Sequence, residues 1–190
     1  MSDSQHETQV LSQLVELSNE LGDPGLDYVI LGEGNTSARI DEESFWVKAS
    51  GTRLATMGEE NFVQMSSAPL RELVKSMGLD DAAIEAGLLA ARVDPDATQH
   101  PSVETLLHVL CLDLPGVEFV GHSHPTAINA VTCSTAFPQA FERRLFPDEI
   151  VVCGPVPLLI PYVDPGLPLA RCIRDGLAMH QKEHGDALRS

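Results

Sequence analysis

The sequence Gly-His-Ser-His-Pro occupies positions 121–125 and follows a largely apolar run, Val-Glu-Phe-Val, at 117–120. The apolar run predicts a buried strand. Because successive strand residues point to opposite faces, we expect His122 and His124 to project from one face at the end of this strand. Pro125 cannot donate to a sheet ladder and therefore ends it. Two neighbouring imidazoles on a rigid edge favour half of a divalent-metal site, and the alternative is a pair of structural histidines.

The composition limits the kinds of protein that this chain can be. Its 190 residues, 43% of them apolar, suit one soluble globular domain with a real core. The formal net charge of −16 argues against nucleic acid or an anionic membrane as partner, because both require basic patches. A small anionic substrate stays open, since it needs only a local cluster of donors.

Cysteine spacing and the N-terminus indicate the compartment. The four cysteines are far apart in the sequence, and the first residues include no apolar signal segment. We therefore expect reduced thiols in a cytoplasmic protein. No stretch has the length of a transmembrane helix.

Apolar periodicity along the chain predicts interspersed helices and strands. The predicted helices cover residues 10–21, 69–77, 80–92, 103–112, 127–131 and 138–145, with a last helix after the turn at 164–166. The predicted strands cover residues 28–31, 38–40, 45–48, 62–65, 117–120, 150–153 and 157–160. A tight acidic turn at 41–44 predicts a hairpin. The fold class is therefore α/β, a helix–sheet–helix sandwich around a mixed, mainly antiparallel sheet.

Two loops of small polar residues flank the predicted hairpin. Residues 34–37 read Gly-Asn-Thr-Ser, and residues 50–52 read Ser-Gly-Thr. Glycine lets a ligand approach the backbone, and consecutive N–H groups can bind an anion. Each loop alone is equally consistent with an ordinary polar turn. Together they can line one edge of the sheet.

Glu104 lies in the first turn of a predicted helix, behind the N-cap residue Ser102. An acid at this place either stabilises the helix end or acts as a general base over a metal site. The same helix end can hold a phosphate. His108, four residues later, is interpreted as a structural partner. His180 and His184 have a metal-binding spacing but are interpreted as surface residues.

Four segments, in this order, resemble the class II aldolase/adducin family. They are Gly-Glu-Gly-Asn-Thr-Ser at 32–37, Val-Lys-Ala-Ser-Gly-Thr at 47–52, Pro-Ser-Val-Glu-Thr-Leu-Leu-His at 101–108, and the histidine segment at 121–125. Within that family, these segments resemble the aldolase portion of rhamnulose-phosphate aldolase/dehydrogenase-type proteins. The resemblance implies a single domain over residues 1–190.

The implied activity is metal-dependent aldol cleavage, or related enolate chemistry, on a small sugar phosphate or hydroxy-acid derivative. Relatives on the same scaffold act as epimerases, decarboxylases or dehydratases, and adducin-like relatives are non-catalytic interaction modules. Both remain alternatives. Members of the family form four-fold symmetric tetramers, so the resemblance also implies a homo-oligomer, most simply a tetramer.

The resemblance assigns roles to individual residues. His122 and His124 would bind a divalent metal, usually Zn²⁺ and sometimes Mn²⁺ or Co²⁺. Glu104 would be the catalytic acid/base. The positions that hold phosphate or a similar anion in relatives correspond here to Asn35, Ser50, Gly51 and Ser102.

Two features depart from the family pattern. Val103 stands where sugar-phosphate aldolases often have a second serine, which leaves a carboxylate as an alternative to phosphate. The family's third metal histidine belongs to a late His-Gly pair after an apolar strand, whereas His184-Gly185 follows a polar helix end. We therefore expect the domain to lack the C-terminal segment that supplies this ligand. Weak or absent aldolase activity would follow.

Overall fold

The computed structural model describes residues 3–185. The four strands are β1 (Asn35–Arg39), β2 (Ser44–Lys48), β3 (Phe62–Ser66) and β4 (Phe119–His122). The helices are α1 (Asp3–Leu21), α2 (Ser67–Lys75), α3 (Asp81–Ala90), α4 (Thr105–Leu112), α5 (Thr126–Thr132), α6 (Pro147–Cys153) and α7 (Leu167–His184). None of the helices within these residues combines the length and the apolar character of a membrane-spanning segment.

The strands form one sheet in the order β3-β2-β1-β4, and its three pairings are antiparallel. Asp41 builds the turn between β1 and β2, because its Oδ1 accepts hydrogen bonds from the backbone N–H groups of Glu43 (2.8 Å) and Ser44 (2.7 Å). An aspartate at such a position stabilises a tight turn through its own side chain. The predicted hairpin is therefore confirmed.

Helices cover both faces of the sheet. On one face, Leu14 of α1 packs with Ala38 of β1 in a buried cluster. On the other face, Phe45 and Val47 of β2 join a larger cluster formed with α2, α3, α4 and α7. Trp46, between them in sequence, packs toward α1 because side chains alternate along a strand. The predicted helix–sheet–helix sandwich is confirmed.

The strand predicted at residues 28–31 is wrong. This segment turns, because Asp27 and Leu31 have positive φ angles of 56° and 55°. No extended ladder forms with such backbone angles. One contact remains: the backbone N–H of His124 donates to the carbonyl of Tyr28 at 2.9 Å. The segment thus supports the end of β4 without joining the sheet.

The strands predicted at residues 150–153 and 157–160 are also wrong. The first lies in α6, which Glu149 anchors by accepting hydrogen bonds from the Leu145 backbone N–H (2.8 Å) and the Arg144 guanidinium (2.9 Å). The second packs beside α7 without strand pairing. β-Branched residues favour strands only where a neighbouring strand edge is available. The helix predicted at 138–145 is reduced to one 3₁₀ turn.

Replacing Gly34 tests the close approach of β1 to β4. Gly34 has a φ of +90°, and a Cβ there would lie 2.9 Å from the carbonyl oxygen of His122. We expect Gly34→Ala to lower the free energy of unfolding by about 2–4 kcal/mol, through both the backbone angle and the collision. Urea denaturation measures this change.

Gly51→Ala is the matched control. Gly51 has a similar φ of +80°, but nothing lies within 4 Å of a Cβ at that position. Its substitution should cost only the conformational part, about 1 kcal/mol. Equal costs for the two variants would contradict a role for the close packing around Gly34, where a Cβ would also lie 3.0 Å from Leu54 and 3.1 Å from Val29.

Candidate functional site

The pairing of β1 with β4 brings distant parts of the sequence together. Asn35 lies directly opposite His122 in the antiparallel register. β4 ends at His122, and the rings of His122 and His124 then lie side by side, with centroids 4.7 Å apart and a tilt of 46°. The edge of the sheet therefore presents an amide and two imidazoles at one place.

Glu104 reaches the same place from α4. It is the N-cap residue of that helix, so the helix begins two residues later than its predicted start at 103. The Glu104 backbone N–H donates to Ser102 Oγ at 3.2 Å, and this bond fixes the preceding turn. The carboxylate Oε2 accepts from Asn35 Nδ2 at 3.2 Å and lies 3.5 Å from His122 Nδ1. Asn35, Glu104, His122 and His124 thus form one cluster.

The surroundings of Glu104 keep it ionised. Burial alone would raise its pKa, but the nearby His122 and the amide of Asn35 lower the pKa to about 2. An ionised carboxylate in a half-buried place can accept a proton or help to hold a cation. The geometry therefore suits either an acid/base or a ligand role.

Lys48 is a site residue that the sequence analysis missed. It ends β2, is only 5% exposed, and interacts electrostatically with Glu104 and Glu33. Burial lowers its pKa, whereas the two carboxylates raise it. In the sequence, Lys48 is marked only by its position: it follows the apolar residues 45–47 and shortly precedes the small polar loop. Lys48 thus places an amino group beside the Glu104 carboxylate, where it could meet an anion.

Ser50 and Ser102 lie on two loops that are joined to each other. Ala49 forms an isolated bridge with Pro101, and the Ser50 backbone N–H donates to the His100 carbonyl at 2.8 Å. Both serines line a groove of about 760 Å³, together with parts of α3 and residues 164–168. Glu104 and the two site histidines do not line this groove. The predicted site residues therefore divide between a cluster and a neighbouring groove.

Gly51 lies beside this groove at the exposed tip of its loop. Its φ of +80° and the open space around it leave the backbone free to approach a ligand.

The donors in the cluster suit a divalent cation. His122 Nδ1 and His124 Nε2 are buried and have no hydrogen-bond partner. Unsatisfied ring nitrogens beside a carboxylate are donors of the type that zinc prefers. Across residues 3–185, however, no three His, Cys, Asp or Glu side chains are arranged so that they could already hold a metal. Binding would therefore need side chains of the cluster to turn.

The two late histidines lie elsewhere. They line a second cavity, of about 440 Å³, against residues 156–161. His180 is buried, with its Nε2 3.1 Å from the carbonyl of Val156, so its interpretation as a surface residue is wrong. The backbone N–H of Gly185 donates to the carbonyl of Gln181 and caps the helix. His184 is therefore part of a helix end.

His108 lies one helical turn beyond Glu104 and is fully buried. Its Nδ1 is 2.7 Å from the hydroxyl of Ser37. Burial, followed by the charges of His122 and Lys48, lowers the pKa of His108 to about 3, although Glu104 opposes the shift. The ring is therefore neutral in the folded protein at physiological pH.

This buried neutral ring predicts a pH dependence. In the unfolded chain His108 titrates near pH 6.5, so its contribution to stability is present above that pH and is lost as the pH falls toward about 3. The loss should be about 1 kcal/mol per pH unit. Urea denaturation at pH 7, 6 and 5 should therefore show a flatter pH dependence for His108→Leu than for the natural chain. Parallel curves would contradict the prediction.

Comparisons with known proteins agree with this architecture. The model of the family described as Class II Aldolase and Adducin N-terminal domain matches residues 12–187. A similar curated protein is YuxG of Bacillus subtilis (strain 168), described as an uncharacterized oxidoreductase. It is 34% identical over 155 residues, which are 77% of this chain. The chain spans only 21% of the length of YuxG.

Solved structures have the same fold. The N-terminal class II aldolase domain of a conserved protein from Thermoplasma acidophilum is 29% identical, with a TM-score of 0.67 over 87% of this chain and 74% of that one. The L-fuculose-1-phosphate aldolase of Thermus thermophilus is 16% identical, with a TM-score of 0.57 over 90% of this chain and 71% of that one. The family match spans nearly all of the described fold, so the chain belongs to the class II aldolase and adducin N-terminal domain family.

Proposed function

We propose that this domain carries out metal-dependent aldol cleavage, or closely related enolate chemistry, on a small anionic sugar derivative. The single observation that carries the proposal is the position of Glu104. Its carboxylate lies between the amide of Asn35 and the ring of His122, with His124 alongside. Membership of the aldolase family supports the reaction class.

His122 and His124 are the residues that would hold a divalent metal, with Glu104 as a third donor only while no substrate is bound. When bound, a divalent cation polarises carbonyl and hydroxyl oxygens and lowers the cost of negative charge on them. Zinc is the metal that we favour, because imidazole and carboxylate donors suit it. Manganese and cobalt are alternatives.

Glu104 would move the proton. In aldol cleavage, the hydroxyl group β to the substrate carbonyl loses its proton as the carbon–carbon bond breaks and the aldehyde forms. The electron pair left on the carbon beside the carbonyl then takes up a proton. The carboxylate of Glu104 is ionised before substrate arrives, so it is free to take the hydroxyl proton and return it to the carbon. Its pKa of about 2 makes it a weak base in the metal-free protein. The hydrogen bond from Asn35 keeps one carboxylate oxygen in place meanwhile.

Lys48, Ser50, Gly51 and Ser102 would hold the anionic end of the substrate. Lys48 supplies a buried positive charge, and the two serines lie on loops joined by the Ala49–Pro101 bridge. The anion is a phosphate or a carboxylate. Val103 leaves this open, because its side chain offers no donor.

We further propose that residues 1–190 form a single domain that assembles as a homo-oligomer, with a tetramer as the simplest form. The cytoplasm is the proposed location. Nucleic acid and membranes are not proposed as partners, since the net charge of −16 disfavours both.

Zinc titration of the purified chain tests the metal site. We expect one weakly held Zn²⁺ per chain, and we expect His122→Ala or His124→Ala to abolish binding, because each variant leaves only one imidazole and one carboxylate to hold the metal. Elemental analysis after mild chelation, with calorimetric titration, measures this. His184→Ala is the control, since that residue lines a separate cavity. Equal zinc binding by the His122→Ala variant would contradict the proposed site.

A turnover assay on the same zinc-loaded protein tests the proposed reaction. A panel of ketose phosphates, including L-fuculose 1-phosphate, and branched hydroxy acids is assayed for released aldehyde. We expect slow turnover by the natural chain, because the described residues offer no third histidine ligand. Glu104→Gln should lower this kcat by about 100-fold or more, because it removes the proton carrier. If the protein binds zinc and cleaves none of the compounds, aldol cleavage is contradicted. Epimerisation or decarboxylation of a compound in the panel would then identify the reaction.

The effect of Lys48→Met tests the anion site. Methionine keeps the length of the side chain but removes its charge, so we expect KM for an anionic substrate to rise about 10–100-fold, with little change for a neutral analogue. Lys75→Met is the control, because Lys75 is exposed and paired with Glu72. A KM that rises equally for charged and neutral compounds would contradict the assignment.

A further inference from the structure

Two hydrogen bonds, one helical turn apart, join β1 to α4. Asn35 donates to Glu104 at 3.2 Å, and Ser37 is hydrogen-bonded to His108 at 2.7 Å. Asn35 and Ser37 are two residues apart on a strand, so they share a face and lie about 6.6–6.8 Å apart along it. Glu104 and His108 are four residues apart, which is about 6 Å along a helix. The strand and helix spacings therefore match.

The hydrogen bond between Ser37 and His108 is better shielded from solvent than the bond between Asn35 and Glu104. Ser37 and His108 are both 0% exposed, whereas the bond between Asn35 and Glu104 is only partly buried. If α4 slid along β1, water could not replace the Ser37–His108 bond, and both groups would be left unpaired. Thr105 in the first turn of α4 gives no such link, because its buried hydroxyl has no hydrogen-bond partner.

We propose that Ser37 and His108 are positioning residues, whose buried hydrogen bond sets the register of α4 on β1 and so holds the Glu104 carboxylate against Asn35 and His122. Neither residue needs to touch a substrate. The neutral ring of His108 serves this role well, since it adds no charge behind Glu104. The consequence for catalysis rests on the proposed function, but the structural part does not.

Hydrogen exchange of the metal-free protein tests the structural part. Ser37→Ala removes the link with a minimal change in volume. We expect the backbone amides of Leu107 and His108, which donate to the carbonyl of Glu104, to exchange roughly five- to tenfold faster, the factor that one net hydrogen bond represents. Thr105→Val is the matched control, because it removes an equally buried but unlinked hydroxyl from the same helix. Unchanged exchange in Ser37→Ala, or equal acceleration in Thr105→Val, would overturn the proposal.

Two substitutions of His108 separate positioning from simple packing. Leucine is close to histidine in volume but cannot bond to Ser37. Asparagine leaves more empty space but places a polar group near the position of Nδ1. A packing role predicts that His108→Leu is the milder change, whereas a positioning role predicts that His108→Asn retains more site function.

The site readout is the affinity for Zn²⁺, measured by competition with a chromophoric chelator. We expect Ser37→Ala and His108→Leu to weaken binding about tenfold, the usual effect of losing a residue that orients a ligand, and His108→Asn to weaken it less. The reverse order of the two His108 variants would overturn the proposal. If the natural chain binds no zinc, the proposed function fails, and the exchange experiment still decides the register of α4.

Discussion

The antiparallel pairing of β1 with β4 is the constraint on which the rest of the site depends. It places Asn35 opposite His122, and Gly34 allows the two strands to approach because a side chain there would meet the His122 carbonyl. α4 then lies across the same strands and delivers Glu104. Residues nearly 90 positions apart in sequence are thus brought together by one ladder of backbone hydrogen bonds. Any change in the register of that ladder would move every group in the cluster.

Much of this arrangement could be predicted from the sequence, because its signals are local. The Asp41 turn defines a hairpin, and the His-x-His spacing places two rings on one side of a strand end. The errors have a common cause. The apolar run at residues 150–153 has strand composition, but composition says nothing about whether a neighbouring strand edge is available. Lys48 was missed because a lysine's burial depends on the tertiary packing around it.

The charges of the site are balanced locally, although the chain as a whole is strongly acidic. Lys48 lies near Glu104 and Glu33, while His108 stays neutral in the interior. Burial makes the charges of Lys48 and Glu104 matter more than a surface charge such as that of Glu33. The proposed anionic substrate would meet the buried Lys48 in a chain whose net charge is −16. Under that proposal, recognition of the anion would rest on few residues.

The sheet also separates the single tryptophan, on its α1 face, from the histidine cluster on its α4 face, and this bears on fluorescence measurements. Trp46 is the single tryptophan of the chain, and it packs on the α1 side, next to the strand position of Ala38. Asn35 and Ser37 point to the opposite side, toward α4. The indole is therefore shielded from the histidine cluster by the backbone of the sheet. A change in tryptophan emission on ligand binding would report a movement transmitted through that backbone, and not a contact between the ligand and the fluorophore.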